Sequence, residues 1–287
     1  MSLLPRPPAS LADVVISGNT RIAGVIGQPV RHSLSPVIHN AAYQELGIDW
    51  LYVAFEVAPR DLGNALRSVQ ALGLGGLSVT MPHKDAVAIL VDEPSVSVRA
   101  LGACNTVVPL DDGGLAGHNS DGDGLLDSLA QAEVNVIGRR IVLLGAGGAG
   151  RSIAEAFGRS GAADVAVVNR SVEKATVAAS LAGSVGRVGT AEDIADADII
   201  VNATSIGMGE SGDLPFDIAL LRRTQVVVDA VYKPLVTPLL QAGIARGCLT
   251  VDGLGMLVFQ AARQFRLFTG HEPPIDVMLA AARSGLE

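Results

Sequence analysis

The sequence predicts an α/β fold of two domains, and two observations support the prediction. The first is chain length, because 287 residues exceed the usual size of one domain and allow a large buried core. The second is an apolar run at residues 141–144, which leads into a G-x-G-x-x-G pattern and then into an Ala-rich helical pattern. A strand, a glycine turn and a helix in this order are typical of a Rossmann domain.

The composition indicates a compact globular chain, with 49% apolar and 17% charged residues. The net charge of −8 disfavours non-specific binding of nucleic acid, so an anionic ligand needs a local cluster of cations. Cys104 and Cys248 are far apart in the chain, and we expect them to be reduced, buried thiols of a cytoplasmic protein. The histidines show no metal-ligand spacing, so no metal site is expected.

The N-terminal end of the chain shows no targeting pattern. Residues 1–10 contain no signal-peptide core, and no apolar run in the sequence approaches the length of a membrane span. We therefore expect residues 1–20 to form a loose tail and the protein to have no membrane partner.

The first strand is predicted at residues 22–27, and a helix is predicted to begin at Ser35-Pro36. A serine can cap a helix, and proline at the first helical position loses no hydrogen bond. Ser33 and Ser35 also form a pair of hydroxyls beside a positive helix end, which suits a small carboxylate. Capping and ligand binding both stay open for Ser35.

A second strand is predicted at residues 73–79, followed by a turn with Pro82 and a helix at residues 85–91. Lys84 lies near this helix start, where the helix dipole disfavours a cation, and this indicates a function. The alternative is an exposed surface lysine. Residues 104–110 and 115–119 flank an Asp-Asp-Gly-Gly turn and predict a β-hairpin.

The glycine pattern predicts a dinucleotide site. Gly145 permits the tight turn, Gly147 lets the backbone approach a pyrophosphate, and Gly150 lets the helix pack closely on the strand. The helix N-terminus can then point its N–H groups at the phosphates. A glycine turn without a ligand is the alternative. The residues expected to contact the cofactor here are Gly145, Ala146, Gly147, Gly148, Ala149 and Gly150.

The end of the next strand, at residues 165–168, predicts which dinucleotide binds. An NAD site usually has an acidic residue here, whereas an NADP site needs cations for the 2′-phosphate. This chain has Arg170 and Lys174, and the planar fork of arginine can hold a phosphate through two hydrogen bonds. NADP is therefore predicted, bound by Asn169, Arg170, Ser171 and Lys174.

Three more strands are predicted in this domain, at residues 197–201, 226–232 and 249–251, and a helix is predicted from residue 255 onward. Open α/β sheets bind ligands at the carboxyl ends of their strands. The further residues expected to line the cofactor site are Thr204, Ser205, Met208, Val231 and Gly253.

Several motifs occur together and in a fixed order. They are Ser33-x-Ser35-Pro36, Ser78-Val79-Thr80-x-Pro82-x-Lys84, Asn105-Thr106, Asn119-Ser120-Asp121-Gly122, the glycine pattern, Asn169-Arg170-Ser171, Asn202-Ala203-Thr204-Ser205 and Asp252-Gly253-Leu254-Gly255-Met256-Leu257-x-x-Gln260. In this order they resemble the motifs of the shikimate dehydrogenase family. The resemblance extends from about residue 22 to the C-terminal helices.

The resemblance implies reduction of 3-dehydroshikimate to shikimate with NADPH, a step of chorismate and aromatic amino-acid biosynthesis. It also implies an open α/β substrate-binding domain, here residues 1–120 and 256–287, and a Rossmann NADP-binding domain at residues 121–255. By the same resemblance, the catalytic residues are Lys84 and Asp121, and the substrate-binding residues are Ser33, Ser35, Thr80, Asn105, Tyr232 and Gln260.

Lys84 and Asp121 are the only oppositely charged pair among the matched residues, which suits proton transfer to a developing alkoxide. The sequence departs from the family pattern at two positions. The family commonly has Asn at the position of Ser78 and Thr at that of Ser120. A serine hydroxyl is shorter than an amide and donates only once, so Ser78 is not counted among the substrate ligands.

Alternatives remain open at this stage. A quinate/shikimate dehydrogenase and an aminoshikimate dehydrogenase would each bind a substrate with a similar ring and a carboxylate. A non-catalytic NADP-binding regulator is a more distant alternative, and the presence of both Lys84 and Asp121 disfavours it. The sequence leaves open whether the protein is a monomer or a homodimer.

Overall fold

The computed structural model describes residues 16–209 and 212–286. The chain forms two compact units: the first runs up to His118 and resumes at Ala261, and the second is 119–260. The expected domain boundaries, after residue 120 and before residue 256, differ from these divisions by a few residues.

The first unit is built on a mixed sheet. Its elements up to the first division are β1 (Arg21–Gly27), α1 (Ser35–Glu45), β2 (Trp50–Glu56), α2 (Leu62–Ala71), β3 (Gly76–Val79), α3 (Lys84–Leu90), β4 (Glu93–Pro94), α4 (Val96–Leu101), β5 (Thr106–Pro109) and β6 (Leu115–His118). The strand order is β2-β1-β3-β5-β6-β4. β1 pairs in parallel with β2 and β3, whereas β5 is antiparallel to β3 and β6. The predicted hairpin is therefore confirmed.

Apolar strands and helix faces form the core of this unit. Ile26 on β1, Leu77 on β3 and Val107 on β5 are buried in one cluster with Leu66 and Val69 of α2. Burying a side chain of this size stabilises a fold by about 1.5–3 kcal/mol. This core holds the central strands β1, β3 and β5 in place, and two predicted substrate residues, Thr80 and Asn105, adjoin the ends of β3 and β5.

The second unit contains a parallel sheet covered by helices. Its elements are α5 (Asp121–Gln131), β7 (Arg140–Leu144), α6 (Gly148–Arg159), β8 (Asp164–Val168), α7 (Val172–Leu181), β9 (Gly186–Val188), β10 (Ile199–Asn202), β11 (Val226–Asp229), α8 (Pro238–Ala245), β12 (Leu249–Val251) and α9 (Gly253–Thr269). The strand order is β12-β11-β10-β7-β8-β9, and all pairs are parallel. The order reverses between β7 and β10, which is the Rossmann topology. The predicted α/β fold with a Rossmann unit is confirmed.

Two apolar clusters fill the space between this sheet and its helices. One contains Ile141, Leu143 and Phe157, and the other contains Val142 and Ile200. Alternate residues of β7 thus point to opposite faces, and both faces are buried. This explains why the strand is a continuous apolar run in the sequence.

The C-terminal part of the chain returns to the first unit. The division at residue 261 falls within α9, and the last helix is α10 (Ile275–Ser284), which packs against α1. Helix α9 begins at Gly253, two residues earlier than predicted, because Asp252 Oδ1 accepts from Leu254 N and caps the start of the helix.

The remaining predictions about the chain have mixed outcomes. Cys104 and Cys248 are buried free thiols, as predicted. The tail expected at residues 1–20 lies outside the described residues up to residue 15. Residues 17–20 instead form a turn, in which Thr20 Oγ1 donates to Asp49 Oδ1 at 2.6 Å. Within residues 16–209 and 212–286, no helix has the length and apolarity needed to cross a bilayer.

Candidate functional site

The predicted substrate residues of the first unit lie at one edge of its sheet. The parallel strands β1 and β3 end at this edge, and the antiparallel β5 begins there. Thr80 N donates to Ile26 O at 2.9 Å, and Val79 N donates to Asn105 O at 2.7 Å, so the ends of the three strands are hydrogen-bonded to one another.

Ser33 and Ser35 lie next to each other at the start of α1. Ser35 is the first residue of the helix and makes no capping bond, so the capping prediction for Ser35 is wrong. Ser33 Oγ instead accepts from Ser35 N, and the Ser33 hydroxyl donates to Ser35 Oγ, both at 3.2 Å. Ser33 can accept a hydrogen bond from the first-turn N–H because it lies outside the helix, two residues before Ser35. The hydroxyl pair thus adjoins the positive end of a helix, where an anion is favoured.

Lys84 is held by its backbone at the first position of α3, one residue before the predicted start. His83 N donates to Thr80 O at 3.0 Å, which closes the turn before the helix. The Lys84 carbonyl accepts from Cys104 N at 2.9 Å, and the buried His83 ring contacts Val57 O through Nε2 at 2.8 Å. The backbone of the half-buried Lys84 is therefore fixed by segments that follow β2 and β3 and precede β5.

Asn105 is almost fully buried and is held from two sides. Its N–H donates to His118 O at 3.0 Å, and its side-chain Oδ1 accepts from Thr106 Oγ1 at 2.7 Å. Since Oδ1 is held by a hydroxyl donor, the orientation of the amide plane is set, and Nδ2 is the donor end of the side chain. An amide oriented in this way can donate to a hydroxyl of a ligand.

The predicted cofactor residues lie at the carboxyl edge of the second sheet. All strand pairs of this sheet are parallel, so the loops after β7, β8, β10, β11 and β12 leave the same edge. These loops, together with the first residues of the helices that follow them, contain the predicted positions from Gly145 to Gly150, from Asn169 to Lys174, from Thr204 to Met208, and Val231 and Gly253.

The glycine loop has the geometry that the sequence predicts. Gly145 has φ of +103°, a conformation that favours glycine, and a Cβ on Gly150 would lie 2.2 Å from Gly145 O. A Cβ on Gly147 would meet open space. Helix α6 begins at Gly148, and the cap residue Gly147 has no side chain to accept from the first-turn N–H groups. The loop therefore fits a pyrophosphate.

The loop after β8 carries the predicted cations on its surface. Asn169 Nδ2 donates to Ser171 O at 3.1 Å, and Ser171 Oγ caps α7 by accepting from Lys174 N at 3.2 Å. Ser171 also donates to Glu173 at 2.7 Å, and this bond lowers the pKa of the Glu173 carboxyl. Arg170 and Lys174 are exposed, so both are accessible to a phosphate.

A buried pair that was not predicted from the sequence shapes the loops after β10 and β11. Asn202 Nδ2 donates to Asp229 Oδ1 at 2.9 Å, and both residues are fully buried. Asn202 Oδ1 accepts from Thr204 Oγ1 at 2.7 Å, and Asn202 Nδ2 also donates to Ile206 O at 3.1 Å. A polar residue ending an otherwise apolar strand, as in both β10 and β11, is the sequence signal for this pair.

Asp229 also organises the segment that follows β11. Its Oδ1 accepts from Val231 N at 3.0 Å, and its Oδ2 accepts from Thr237 Oγ1 at 2.7 Å. Burial raises the pKa of the Asp229 carboxyl above its ordinary value, and the bonds from Thr237, Val231 and Asn202 act in the opposite direction. The strand predicted to reach Tyr232 therefore ends at Asp229, because the Asp229 side chain turns the backbone at Val231.

The other predicted residues on this edge differ in exposure. Val231 is buried, Tyr232 is half-buried, and Met208 is 54% exposed. Burial raises the pKa of Tyr232, so its phenol stays protonated at neutral pH and can donate to a carboxylate. A Cβ on Gly253 would lie 2.5 Å from Ala230 O, so α9 begins close to the backbone after β11.

Asp121, a buried residue, is the first residue of α5. Asn119 Oδ1 accepts from Asp121 N at 3.1 Å and from Ser152 Oγ at 2.9 Å. Ser152 Oγ in turn accepts from Gly122 N at 2.8 Å. Ser152 is on α6, so the helix that begins at the glycine loop also fixes the start of α5. The sequence analysis did not identify Ser152.

Gln260 lies on α9 within the second unit. Its Nε2 donates to Leu257 O of the same helix at 2.8 Å, so the side-chain nitrogen is bonded along the helix. Its backbone carbonyl accepts from Ser120 Oγ at 3.2 Å. Ser33 and Ser35 thus follow the end of β1, Thr80 and Lys84 follow the end of β3, and Asn105 precedes β5, all within the first unit, whereas Asp121, Tyr232 and Gln260 belong to the second unit.

A Rossmann unit with this glycine loop, together with a second α/β unit, defines the class of dinucleotide-dependent oxidoreductases. The chain is 48% identical over 271 residues to an NADP⁺ shikimate dehydrogenase of Thermococcus kodakarensis, covering 93% of this chain and 97% of that protein. The chain belongs to the shikimate dehydrogenase family.

Family models and solved structures agree with this assignment. Residues 25–107 match the shikimate dehydrogenase substrate binding domain, 128–208 the shikimate/quinate 5-dehydrogenase, and 253–283 the shikimate 5′-dehydrogenase C-terminal domain. A solved shikimate dehydrogenase in complex with NADP⁺ is similar with a TM-score of 0.90 and 36% identity, covering 95% of this chain and 98% of that one. The shikimate 5-dehydrogenase of Thermus thermophilus in complex with NADP(H) and shikimate gives a TM-score of 0.88 and 35% identity, covering 93% and 100%.

Proposed function

We propose that the protein catalyses the NADP-dependent, reversible reduction of 3-dehydroshikimate to shikimate, a step of chorismate and aromatic amino-acid biosynthesis. The observation that carries the proposal is the set of groups at the edge of the first sheet. Two hydroxyls follow the end of β1, a lysine follows the end of β3 and an oriented amide precedes β5, and these groups match a small ring that has a carboxylate and hydroxyls.

The residues have distinct proposed roles in substrate binding. Ser33 and Ser35 hold the carboxylate at the N-terminus of α1, and Tyr232 donates to the same group. Asn105 and Gln260 bind ring hydroxyls, and Thr80 lies beside them. The hydroxyl pair at a helix start supports the carboxylate role, since hydrogen bonds to charged groups are stronger than those between neutral groups.

The proposed chemistry requires a proton at the carbonyl oxygen of the substrate. NADPH supplies the hydride when it is bound. Lys84 donates a hydrogen bond to the carbonyl oxygen and passes a proton to it as negative charge develops, while Asp121 accepts from a substrate hydroxyl and orients the ring. The fixed backbone of Lys84 and the anchored start of α5 at Asp121 support these roles.

The proposed NADP site uses the carboxyl edge of the second sheet. The segment from Gly145 to Gly150 holds the pyrophosphate, and Arg170 and Lys174 bind the 2′-phosphate with Asn169 and Ser171 beside them. Thr204, Ser205, Met208, Val231 and Gly253 line the nicotinamide half. Open space at Gly147 and the exposed cations after β8 support this placement.

A paired-substrate assay tests the proposed function. Purified protein is given shikimate or quinate with NADP⁺ or NAD⁺, and the reduced dinucleotide is followed by absorbance. We expect the highest kcat/KM with shikimate and NADP⁺. No turnover of either acid with either dinucleotide would contradict the proposal and favour a non-catalytic NADP-binding regulator.

The same assay separates the nearest alternative functions. A quinate/shikimate dehydrogenase is the second candidate, because residues 128–208 match a family that covers both activities. It predicts comparable kcat/KM for quinate and shikimate. Turnover of an aminoshikimate in preference to shikimate would indicate the third candidate. The presence of cations at positions 170 and 174 favours NADP in all three cases.

Assembly and location are also part of the proposal. We expect a monomer or homodimer in the cytoplasm that binds only small molecules and neither nucleic acid nor membrane. The net charge of −8 supports the absence of a nucleic-acid partner. Light scattering of the purified protein measures its mass in solution.

A further inference from the structure

Gln264 is a buried amide whose position no sequence motif indicates. It lies on α9 in the part of the helix that belongs to the first unit, and only 1% of its surface is exposed. Its Oε1 accepts from Ser78 Oγ at 2.5 Å, and its Nε2 donates to Asn105 O at 3.2 Å. One side chain of α9 thus connects the end of β3 to the residue that precedes β5.

The chain of hydrogen bonds continues to a third strand. Tyr52 of β2 donates from its hydroxyl to Ser78 Oγ at 2.6 Å, and Tyr52 and Ser78 are 1% and 4% exposed. Ser78 accepts from Tyr52 and donates to Gln264, so its only O–H is used within the protein. Ser78 is therefore a relay between Tyr52 and Gln264 and has no proton left to offer a substrate.

The end of this chain is the backbone of Asn105. The Asn105 carbonyl accepts from both Val79 N at 2.7 Å and Gln264 Nε2, while its side-chain Oδ1 accepts from Thr106. Thr106 thus holds the side-chain oxygen of Asn105, and Gln264 holds its backbone carbonyl. A buried carbonyl that loses a hydrogen-bond partner destabilises the fold more than an exposed one does, so this arrangement resists displacement of the Asn105 backbone.

We propose that Gln264 is a positioning residue for substrate binding, which acts by fixing Asn105. The inference rests on the proposed function, because it assumes that Asn105 donates to a ring hydroxyl of the substrate. Gln264 does not need to touch the substrate. Its loss lets Asn105 move, so substrate binding weakens while the dinucleotide site of the second unit keeps its geometry.

The first variant is Gln264→Met, which keeps the length of the side chain and removes both hydrogen bonds. We expect KM for shikimate to rise about tenfold, which corresponds to about 1.4 kcal/mol, with KM for NADP⁺ unchanged within twofold. Gln44→Met is the matched control, because Gln44 is an exposed amide on α1. Gln264→Asn is the second variant, since its amide is one methylene too short to reach both Ser78 and Asn105.

A double-mutant cycle separates positioning from a general loss of stability. If Gln264 acts through Asn105, then adding Gln264→Met to Asn105→Ala raises KM for shikimate little further. Tyr52→Phe removes only the hydroxyl at the far end of the chain, and we expect it to change KM for shikimate by less than Gln264→Met does. Thermal unfolding of each variant is measured alongside.

Three outcomes would overturn the proposal while the proposed function stands. They are an unchanged KM for shikimate in both Gln264 variants, equal rises in KM for shikimate and NADP⁺, and additive effects of Gln264→Met and Asn105→Ala. Failure of the proposed function is distinguishable, because the wild-type protein would then not oxidise shikimate at all.

Discussion

Lys84 is a half-buried lysine at the first position of α3, where the helix dipole opposes a positive charge. This unfavourable position for a cation supports the proposed catalytic role of Lys84. We expect Lys84→Ala to lower kcat by about 10²-fold or more, because the carbonyl oxygen loses its charged donor. Binding of NADPH is expected to stay within twofold of wild type.

Steady-state turnover and fluorescence titration with NADPH measure the two effects of Lys84→Ala. Lys174→Ala is the matched control, and the opposite pattern is expected for it, with weaker NADPH binding and nearly normal kcat. Near-normal turnover of Lys84→Ala would reject the catalytic role.

Arg170 is an exposed arginine directly after β8, and its proposed ligand is the 2′-phosphate of NADP. A hydrogen bond between charged groups contributes about 1.5–3 kcal/mol. We therefore expect Arg170→Ala to raise KM for NADP⁺ by about 10- to 100-fold and to leave KM for NAD⁺ almost unchanged. The control is Arg60→Ala, an exposed arginine of the first unit. Equal losses with both dinucleotides would place Arg170 outside the 2′-phosphate site.

Some functional residues could be predicted from the sequence, and others could not. The glycines and the motif residues could be named because their neighbours in the chain form part of the pattern. Gln264 could not, because its partner Ser78 is 186 positions away and their contact depends on how α9 lies on the first sheet. The role of Ser152 and the pairing of Asn202 with Asp229 were missed for the same reason, since the partners come from other elements.

The order of the helices and strands was predicted more reliably than the residues at which they begin and end. Apolar runs and turn residues predicted the hairpin and every strand of the Rossmann unit except β9, since burial and turn chemistry are local in the sequence. The ends of β11, α3 and α9 were misplaced by one to three residues. At β11 and α9 the ends depend on side chains that bond backbone N–H groups, as Asp229 and Asp252 do.

The glycine loop offers a test in which two similar substitutions have different outcomes. A methyl group on Gly150 would lie 2.2 Å from Gly145 O, so Gly150→Ala must move α6 away from β7. We expect this variant to lose about 1–3 kcal/mol of stability and to bind NADP⁺ weakly. A methyl group on Gly147 meets open space, so Gly147→Ala is expected to keep the stability of wild type and to raise KM for NADP⁺ about tenfold or more.

Thermal unfolding and NADP⁺ kinetics of the two variants are compared with wild type. The pair separates folding from binding, because only Gly150 is needed for packing of α6. If Gly147→Ala has a normal KM for NADP⁺, the pyrophosphate does not approach the backbone at this glycine.

At the scale of the whole molecule, Asp229 links stability to pH. Burial raises its pKa in the folded protein above the value of about 3.9 expected for the unfolded chain. The Asp229 carboxyl thus binds its proton more tightly in the folded protein than in the unfolded chain. Its contribution to the free energy of unfolding therefore falls as pH rises from below the pKa of the unfolded state to above the pKa of the folded state. Above the folded pKa it stays constant.

Asp229→Asn removes this titration and keeps an Oδ1 acceptor for Asn202 and Val231. We expect the free energy of unfolding of the variant, relative to wild type, to increase with pH from about pH 3.5 upward and then to level off. Urea unfolding at a series of pH values measures the difference. The control is Asp111→Asn in the exposed turn of the hairpin. A difference that decreases with pH would show that the folded-state pKa is lowered.

Arg170 lies on the exposed turn after β8 and Lys174 in the first turn of α7, and neither belongs to an apolar cluster of the sheet. The residues proposed to select NADP over NAD are therefore outside the apolar core. Replacing the two cations while keeping Ser171, which caps α7, should therefore change the coenzyme preference and leave the substrate-binding residues and the melting temperature unchanged.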